Sequence, residues 1–309
     1  MVISGIDIVA LVPVSSSDVP DFANTIWITK IKEDGKYGAV PAEVPLSKGA
    51  KVQAGKLFSF EFSTVDLDNQ ATISTAIATG QQYWVFAYGL SNVCWRESVI
   101  PTITLNRDNK SGDLQSFTLK FMAHRGTNAD IKAGVNLFRN EVANGTYAAS
   151  NFTVANGTLA VDQAPNGGFT TANGKVFKLS QDGVDHVFVD LYTSAKKDVF
   201  PVKLGMRFTF KVICYCYGSG TAPQNTFSLV AKDSSNILTE TGYLTEASGL
   251  FEIVNDPDAD YMELVISDSD SVYLQLSIEA GSSVTATTTL EIDKLMLVYK
   301  DYNSAYSET

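Results

Sequence analysis

The sequence predicts a mainly β protein, and three observations support this fold class. Threonine, valine, tyrosine and phenylalanine, which favour strands, are frequent along the chain. Short alternating apolar and polar runs recur between turn residues, whereas only one stretch, near residue 70, has helical spacing. Hydrophobic residues make up 45% of the 309 residues, so the chain can bury the cores of two domains of ordinary size.

Residues 1–130 are predicted to form a β domain with one short helix. The predicted strands are separated by turn or loop signals and lie at 5–14, 24–31, 58–63, 82–90, 98–105 and 114–123. Residues 106–113 carry the turn signal that joins the last two strands. The polar segment 32–56 interrupts the series, and a loop of that length in a compact domain is usually functional or folds on a partner.

The helix is expected between the strand at 58–63 and the strand at 82–90. Asp66 or Asp68 suits its N-cap, and Gly80 suits the C′ position that follows its end. Its apolar side is formed by three residues: Ile73, Ala76 and Ile77. Because a helix of about three turns is marginal alone, this side must pack on a sheet.

Residues 131–309 are predicted to form a separate domain, since the polar segment 124–134 with its glycines is typical of a domain boundary. Strand candidates are short, are spaced by turn residues, and lie at 136–139, 151–154, 157–162, 175–179, 186–193, 206–217, 226–231, 249–254, 260–266, 271–278 and 285–299. No long run with helical spacing interrupts them. This spacing predicts an antiparallel sandwich or jelly roll.

The residue types argue against catalysis and against a cofactor. The chain has only two histidines, His124 and His186, and no P-loop, dinucleotide fingerprint, CxxC or HExxH motif. Asp185 beside His186 is interpreted as a turn-to-strand junction rather than a catalytic pair. Cys214 and Cys216 would lie on one face of a strand as buried thiols. We therefore expect no enzyme activity and no cofactor.

The charge distribution is acidic and uneven. A net charge of −11 argues against direct binding to a phosphate backbone, and most of it comes from residues 131–309, where 12 Lys and Arg face 21 Asp and Glu. The acidic segments 255–260 and 267–271 could offer oxygen ligands to a structural calcium ion. Their spacing does not match an EF-hand, so solvated turns are favoured. No signal peptide and no membrane span are predicted.

The run GKLFSFEFSTVDLDNQATISTAIATGQ (55–81), followed by YWVFAYGL and PTITLNRDNKSGDLQSFTLKFMA, reads as a strand, a short helix and a closing meander. Over residues 1–125 this pattern resembles the tail tube proteins of tailed bacteriophages and related contractile systems. The resemblance implies a tail-tube-like β-sandwich or barrel whose copies form closed rings, commonly hexameric, that stack into a tube. It also implies that the segment 32–56 is an extended loop or hairpin used for stacking between rings, with subunit contacts at Lys36, Tyr37, Val40, Val44, Lys48 and Lys51.

Three segments of the second domain, NLFRNEVANGTY (136–147), VFPVKLGMRFTFKVICY (199–215) and TLEIDKLMLVYKD (289–301), suggest a second family. They resemble the carbohydrate-binding-module type of β-jelly roll, also called galactose-binding-like. The resemblance implies an outward-facing domain with surface glycans as a partner. Tyrosine rings could then serve as sugar-stacking platforms, at Tyr147, Tyr192 and Tyr243, and the alternative is a place in the core or on a half-buried sheet face.

Together the two resemblances imply a virion structural protein of a phage tail, assembled in the host cytoplasm. Its partners would be other copies of itself and other tail proteins, with DNA only as passing cargo and no membrane insertion. Two alternatives stay open. One is a capsid or head-decoration protein built of β domains, and the other is a cell-surface carbohydrate-binding or adhesion protein.

Overall fold

A computed structural model gives the fold of the chain. The structure describes residues 6–15, 19–31, 36–45, 51–89, 93–96, 100–124, 130–133, 137, 153–166, 171, 174–181, 187–190, 199–218, 224–233, 238–246, 249–252, 262–281 and 288–300. The chain divides into two compact units, Met1–Gly134 (unit 1) and Val135–Thr309 (unit 2). The fold is mainly β with antiparallel sheets and one α-helix among the described residues, which confirms the predicted class.

Unit 1 contains nine described strands and the helix α1 (Gln70–Ala78). The strands are β1 (Ile6–Val14), β2 (Ile26–Ile28), β3 (Lys36–Pro45), β4 (Lys51–Thr64), β5 (Gln82–Gly89), β6 (Val93–Arg96), β7 (Thr102–Arg107), β8 (Leu114–His124) and β9 (Asp130–Ala133). They form a three-stranded sheet in the order β2-β1-β5, a four-stranded sheet in the order β3-β4-β8-β7, and the pair β6-β9. All of these pairings are antiparallel.

The core of unit 1 brings the three-stranded sheet, the four-stranded sheet and α1 together. Val9 and Val85 contribute from the first sheet, Phe62 and Phe121 from the second, and Ile73 from the helix, all nearly fully buried. The Phe62 and Phe121 rings stack with their centroids 6.1 Å apart. The predicted apolar side of the helix is confirmed, since Ala76 and Ile77 pack against the same core.

The end of α1 is confirmed as predicted, but its start is not. Gly80 adopts a φ of +76°, which favours glycine, and its N–H donates to the Ile77 carbonyl at 3.0 Å. The N-cap of α1 is Asn69, because a short 3-10 helix, Leu67–Asn69, precedes it. Asp66 is the N-cap residue of that 3-10 helix but makes no side-chain capping bond, and Asp68 lies within it, so the predicted aspartate cap of α1 is wrong.

The β7–β8 hairpin forms as predicted, because the segment between its strands supplies a closed turn. The Asp108 N–H donates to the Asp113 carbonyl at 2.9 Å, and the Asp108 carbonyl accepts from Gly112 N at 2.9 Å. Gly112 has a φ of +72°, a conformation that glycine adopts without strain.

The polar segment 32–56, which its composition predicts to be a loop, is strand throughout its described part, residues 36–45 and 51–56. β3 and β4 pair from Lys36↔Glu61 to Pro45↔Lys51, with one irregularity between Ala42 and Glu43. Backbone pairing with a neighbouring strand needs no apolar run, which is why composition alone did not indicate it. Likewise, part of the predicted connector 124–134 is β9, which pairs with β6.

Unit 2 contains twelve described strands. They are β10 (Thr153–Ala155), β11 (Gly157–Gln163), β12 (Val176–Gln181), β13 (Val187–Asp190), β14 (Phe200–Pro201), β15 (Arg207–Gly218), β16 (Gln224–Lys232), β17 (Leu238–Glu246), β18 (Gly249–Glu252), β19 (Met262–Val265), β20 (Tyr273–Gly281) and β21 (Thr288–Tyr299). Most match predicted strands, but β14 and β17 were not predicted. In β17 the polar residues Thr239, Glu240 and Thr241 hide the alternation.

The strands of unit 2 form two antiparallel sheets. The β20 sheet has the order β10-β13-β20-β16-β17, with β14 also paired to β20. The β21 sheet has the order β11-β12-β21-β15-β18, with β19 also paired to β15. Each sheet contains strands distant in sequence, as a β-sandwich with jelly-roll-like crossovers requires. Unit 2 is therefore a β-sandwich.

Candidate functional site

The β3–β4 hairpin extends beyond the sheet to which it belongs. β4 pairs with β8 only from Leu57↔His124 to Thr64↔Phe117, whereas its pairing with β3 continues to Pro45↔Lys51. Residues 41–45 and 51–56 therefore pair only with each other among the described strands, and we call them the ribbon. A two-stranded ribbon is marginal alone in water, so a further surface would stabilise it.

The predicted subunit-contact residues lie mainly along this hairpin. Four of the six belong to β3, namely Lys36, Tyr37, Val40 and Val44, and Lys51 opens β4. Lys48 and the side chains of the other five lie outside the described part of the chain. The register places Val44 opposite Val52 and Pro45 opposite Lys51, so the predicted contacts run from the sheet toward the end of the ribbon.

One face of the four-stranded sheet carries a connected row of polar side chains. The hydroxyl oxygens of Ser63 and Thr118 lie 2.7 Å apart across β4 and β8. Asn106 Nδ2 on β7 donates to Thr118 Oγ1 and to Ser116 Oγ, at 3.1 Å in each case. These side chains hydrogen-bond to one another and, Ser116 apart, stay partly exposed, so the face offers hydroxyl and amide groups to a polar partner.

The polar face of the β21 sheet differs, because it buries a charge. Glu291 has no exposed side-chain surface, and its Oε1 lies 2.8 Å from Lys178 Nζ. The Asn166 backbone N–H donates to both Glu291 oxygens, at 3.1 and 2.9 Å. Lys178 pairs directly with Glu291 in the ladder. The segment ending at Asn166, after β11, is thus held against this face.

The strand β21 is buried on both of its faces around this ion pair. Leu295 and Leu297 share the apolar face with Val212 and Phe210, their partners on β15. Met296 and Val298, on the opposite face, are also fully buried. A sheet covered on one side only leaves alternate residues exposed, so the polar face of the β21 sheet is also covered along β21.

The remaining predicted residues are only partly described. Tyr243 lies on β17 opposite Ser228, and its side chain is outside the described part. Tyr147, Tyr192, the Asp185–His186 pair and the acidic segment 255–260 are also outside it. Cys214 is buried, as predicted, and the side chain of Cys216 lies outside the described part.

The second acidic segment is a turn. In the segment 267–271, the Asp268 carboxylate accepts from Asp270 N at 2.8 Å, which is the geometry of an Asx turn. Among the described residues, no group of three or more His, Cys, Asp and Glu side chains is placed to hold a metal ion.

One tyrosine of unit 1, Tyr83, has a pKa that burial raises. Tyr83 on β5 is almost completely buried in the core of unit 1. Burial disfavours the charged phenolate, and this raises the pKa of Tyr83 above its ordinary value of 10.0. The Tyr83 phenol therefore stays neutral at physiological pH.

None of the described helices is long and apolar enough to cross a membrane.

Comparison with known proteins gives weak structural likenesses. No protein-family model matches the sequence, and no curated protein matches it. The chain is similar to the enzymatically active domain of tailspike protein 4 of bacteriophage CBA120, with 13% identity over 53% of this chain and 21% of that chain, at a TM-score of 0.35. It therefore spans about a fifth of the tailspike chain.

Two further likenesses are to carbohydrate-binding modules. One, from the β-sandwich superfamily, shares 12% identity over 85% of this chain and 98% of that chain, at a TM-score of 0.34. The other is a CBM4 structure, with 13% identity over 48% of this chain and 95% of that chain, at a TM-score of 0.31. TM-scores this low carry no argument about function. The class of unit 2, a β-sandwich, is defined by its own sheet topology.

Proposed function

We propose that the chain is a non-catalytic surface protein whose unit 2 binds carbohydrate. The observation that carries the proposal is the topology of unit 2, two antiparallel sheets with jelly-roll-like crossovers. Jelly rolls recur in lectin domains, where the sandwich is a rigid support for a binding surface. This support is an analogy of fold, so the ligand class has to be tested at named residues.

Of the three tyrosines predicted to face a sugar, Tyr243 is the one that lies on a described strand. It lies on β17, which is the last strand in the order of the β20 sheet and pairs with β16 alone within that sheet. An edge strand places its residues at the rim of a sandwich, where a ligand can approach. A tyrosine ring there would give a flat apolar surface with a polar hydroxyl at its end.

The test is glycan-array binding by the full chain, followed by titration with any glycan that is retained. We expect Tyr243→Ala to weaken binding by roughly fivefold, since aromatic contacts contribute on the order of 1 kcal/mol. Tyr243→Phe is the matched control, because it keeps the ring and should retain most of the affinity. Absence of glycan binding by the folded chain would contradict the proposal.

A second candidate function is self-assembly into the rings of a phage tail tube, with unit 2 as a decoration. The ribbon favours it, because residues 41–45 and 51–56 extend beyond the four-stranded sheet without a third described strand. A neighbouring copy of the chain would supply the missing surface. In that case the chain would be a virion tail protein with no enzyme activity.

A shortened hairpin tests this candidate. Val40 and Leu57 are paired, so replacing residues 41–56 by Asn-Gly gives a two-residue turn that suits an antiparallel hairpin. We expect the wild-type chain to form rings or tubes in negative-stain electron microscopy and the shortened chain to stay dispersed and folded. Assembly by the shortened chain would contradict a role for the ribbon. Shells or discrete particles from the wild-type chain would favour the capsid or decoration alternative.

A further inference from the structure

We propose that the open edge of β7 is a self-association site, through which two copies of the chain pair antiparallel about Thr104. β7 is the last strand in the order β3-β4-β8-β7, so among the described strands it pairs with β8 alone. An edge strand presents unpaired backbone N–H and C=O groups, and these form a template for a further strand. The proposal does not depend on carbohydrate binding by unit 2.

The charged residue that could protect this edge is directed elsewhere. Soluble proteins block open edges with charges, prolines or bulges. Arg107 is the only charged residue of β7, and its Nη1 donates to the Gly112 carbonyl at 3.0 Å, within the adjoining turn. The only register irregularity lies between Asn106 and Arg107, at the end of the strand.

The polar side chains of β7 reach back toward β8 rather than across the open edge. Asn106 Nδ2 donates to Thr118 Oγ1 at 3.1 Å, and Thr102 Oγ1 donates to the Lys120 carbonyl at 3.3 Å. Thr104 between them is exposed. The stretch from Thr102 to Asn106 is therefore regular, uncharged and accessible to another strand.

The sequence of β7 is complementary to itself in an antiparallel pair. Centring the pair on Thr104 sets Ile103 of one copy opposite Leu105 of the other, and Thr102 opposite Asn106. Ile103 already packs on the core of unit 1, and Leu105 is 39% exposed, so pairing would cover exposed apolar surface beside an existing core. Aliphatic and Thr–Thr cross-strand pairs are favourable. A two-fold contact of this kind closes at a dimer.

The test is sedimentation velocity of the full chain over a wide range of concentration, with charges placed at the two-fold axis. A short ladder is small compared with a standard interface, so we expect weak, concentration-dependent dimers. Thr104→Lys sets two like charges opposite each other and should weaken the dimer about fivefold or more. Thr104→Glu should weaken it similarly, and an equimolar mixture of the two variants should restore association.

Gln115→Lys is the matched control, because it adds the same charge at an exposed position on β8, one strand inside the open edge and opposite the end of β7, and should leave association unchanged. Circular dichroism establishes that each variant is folded. A wild-type chain that is monomeric throughout would overturn the proposal. So would failure of the mixture to restore association, which is the result expected if β7 pairs with β3 of another copy.

Discussion

Two sheets, one in each unit, carry polar side chains on one face, but they differ in how those side chains are partnered and covered. On the four-stranded sheet of unit 1, neutral groups such as Ser63 and Thr118 hydrogen-bond across strands and stay partly exposed. On the β21 sheet of unit 2, Glu291 is fully buried and is held by Lys178 and the Asn166 backbone. An alternating pattern therefore identifies a polar face without showing whether that face meets water.

The difference has an energetic consequence. A neutral hydrogen bond between half-exposed groups contributes roughly 1 kcal/mol, because water can replace a lost partner. A buried carboxylate has lost its hydration and is stable only while its partners remain in place. We therefore expect the polar contacts of unit 2 to be much more sensitive to substitution than those of unit 1.

The largest effect is expected for Glu291→Ala. It leaves Lys178, whose side chain is 25% exposed, without its counter-charge and the Asn166 N–H without its acceptor. The unfolding free energy of unit 2, measured by urea denaturation, should therefore fall by about 3–5 kcal/mol. The double variant Lys178→Met with Glu291→Leu is the control, and should recover most of the loss because no charge stays buried. A loss below about 1 kcal/mol in the single variant would show that water reaches this face.

A smaller effect is expected for Thr118→Val on the four-stranded sheet. The change keeps the shape of the side chain but removes the oxygen that contacts Ser63 and Asn106, so unit 1 should lose about 1 kcal/mol. Thr104→Val, at an exposed position of the same sheet, should change stability by less than about 0.5 kcal/mol. Equal losses in the two variants would mean that the polar row contributes nothing specific.

A still smaller effect is expected for Glu61→Gln. Glu61 Oε2 lies 4.0 Å from Lys120 Nζ, and both side chains are more than a third exposed, at 36% and 39%. Such surface pairs contribute about 0–1 kcal/mol and are screened by salt. Urea denaturation at low and at high ionic strength should give nearly the same unfolding free energy for the variant and the wild type. A difference as large as that of Glu291→Ala would remove the contrast between the two faces.

At neutral pH the smallest effect is expected for Tyr83→Phe, because the phenol is neutral there. The raised pKa means that the folded state keeps its proton more tightly than the unfolded state does. The resulting stability is fully present below about pH 10, the ordinary value, and is lost as pH rises through the higher folded pKa. The urea midpoint of unit 1 should therefore fall less steeply in the variant at alkaline pH. Identical slopes would contradict this assignment.

Local patterns predicted local structure well. The strands β1 and β5, the β7–β8 turn and the glycine after α1 follow from short-range spacing and backbone conformation, both visible in the sequence. The strands β17 and β9 could not be predicted in this way, because their strand conformation comes from pairing with β16 and β6 rather than from their own apolar pattern. Edge strands of mixed composition are defined by their neighbours.

The candidate sites also combine features that the local sequence predicts with contacts between distant residues that it does not. The segment 32–56 was predicted to be functional from its length and composition, and this stays a prediction. Its strand conformation did not follow from either property. The position of Glu291 between Leu290 and Ile292 predicts a polar face, but the cover on that face comes from Asn166, 125 residues away. Spacing within one strand contains no information on such a distant contact.

The place of β21 in its sheet has a consequence for the order of folding. β21 lies between β12 and β15 and is the last described strand along the chain, so the β21 sheet has no centre until residues 288–299 have been synthesised. The described strands of unit 1 are complete by residue 133. During translation we therefore expect unit 1 to fold early. The earlier strands of the β21 sheet should stay unpaired until β21 is synthesised, and chaperones or rapid synthesis would then limit their aggregation.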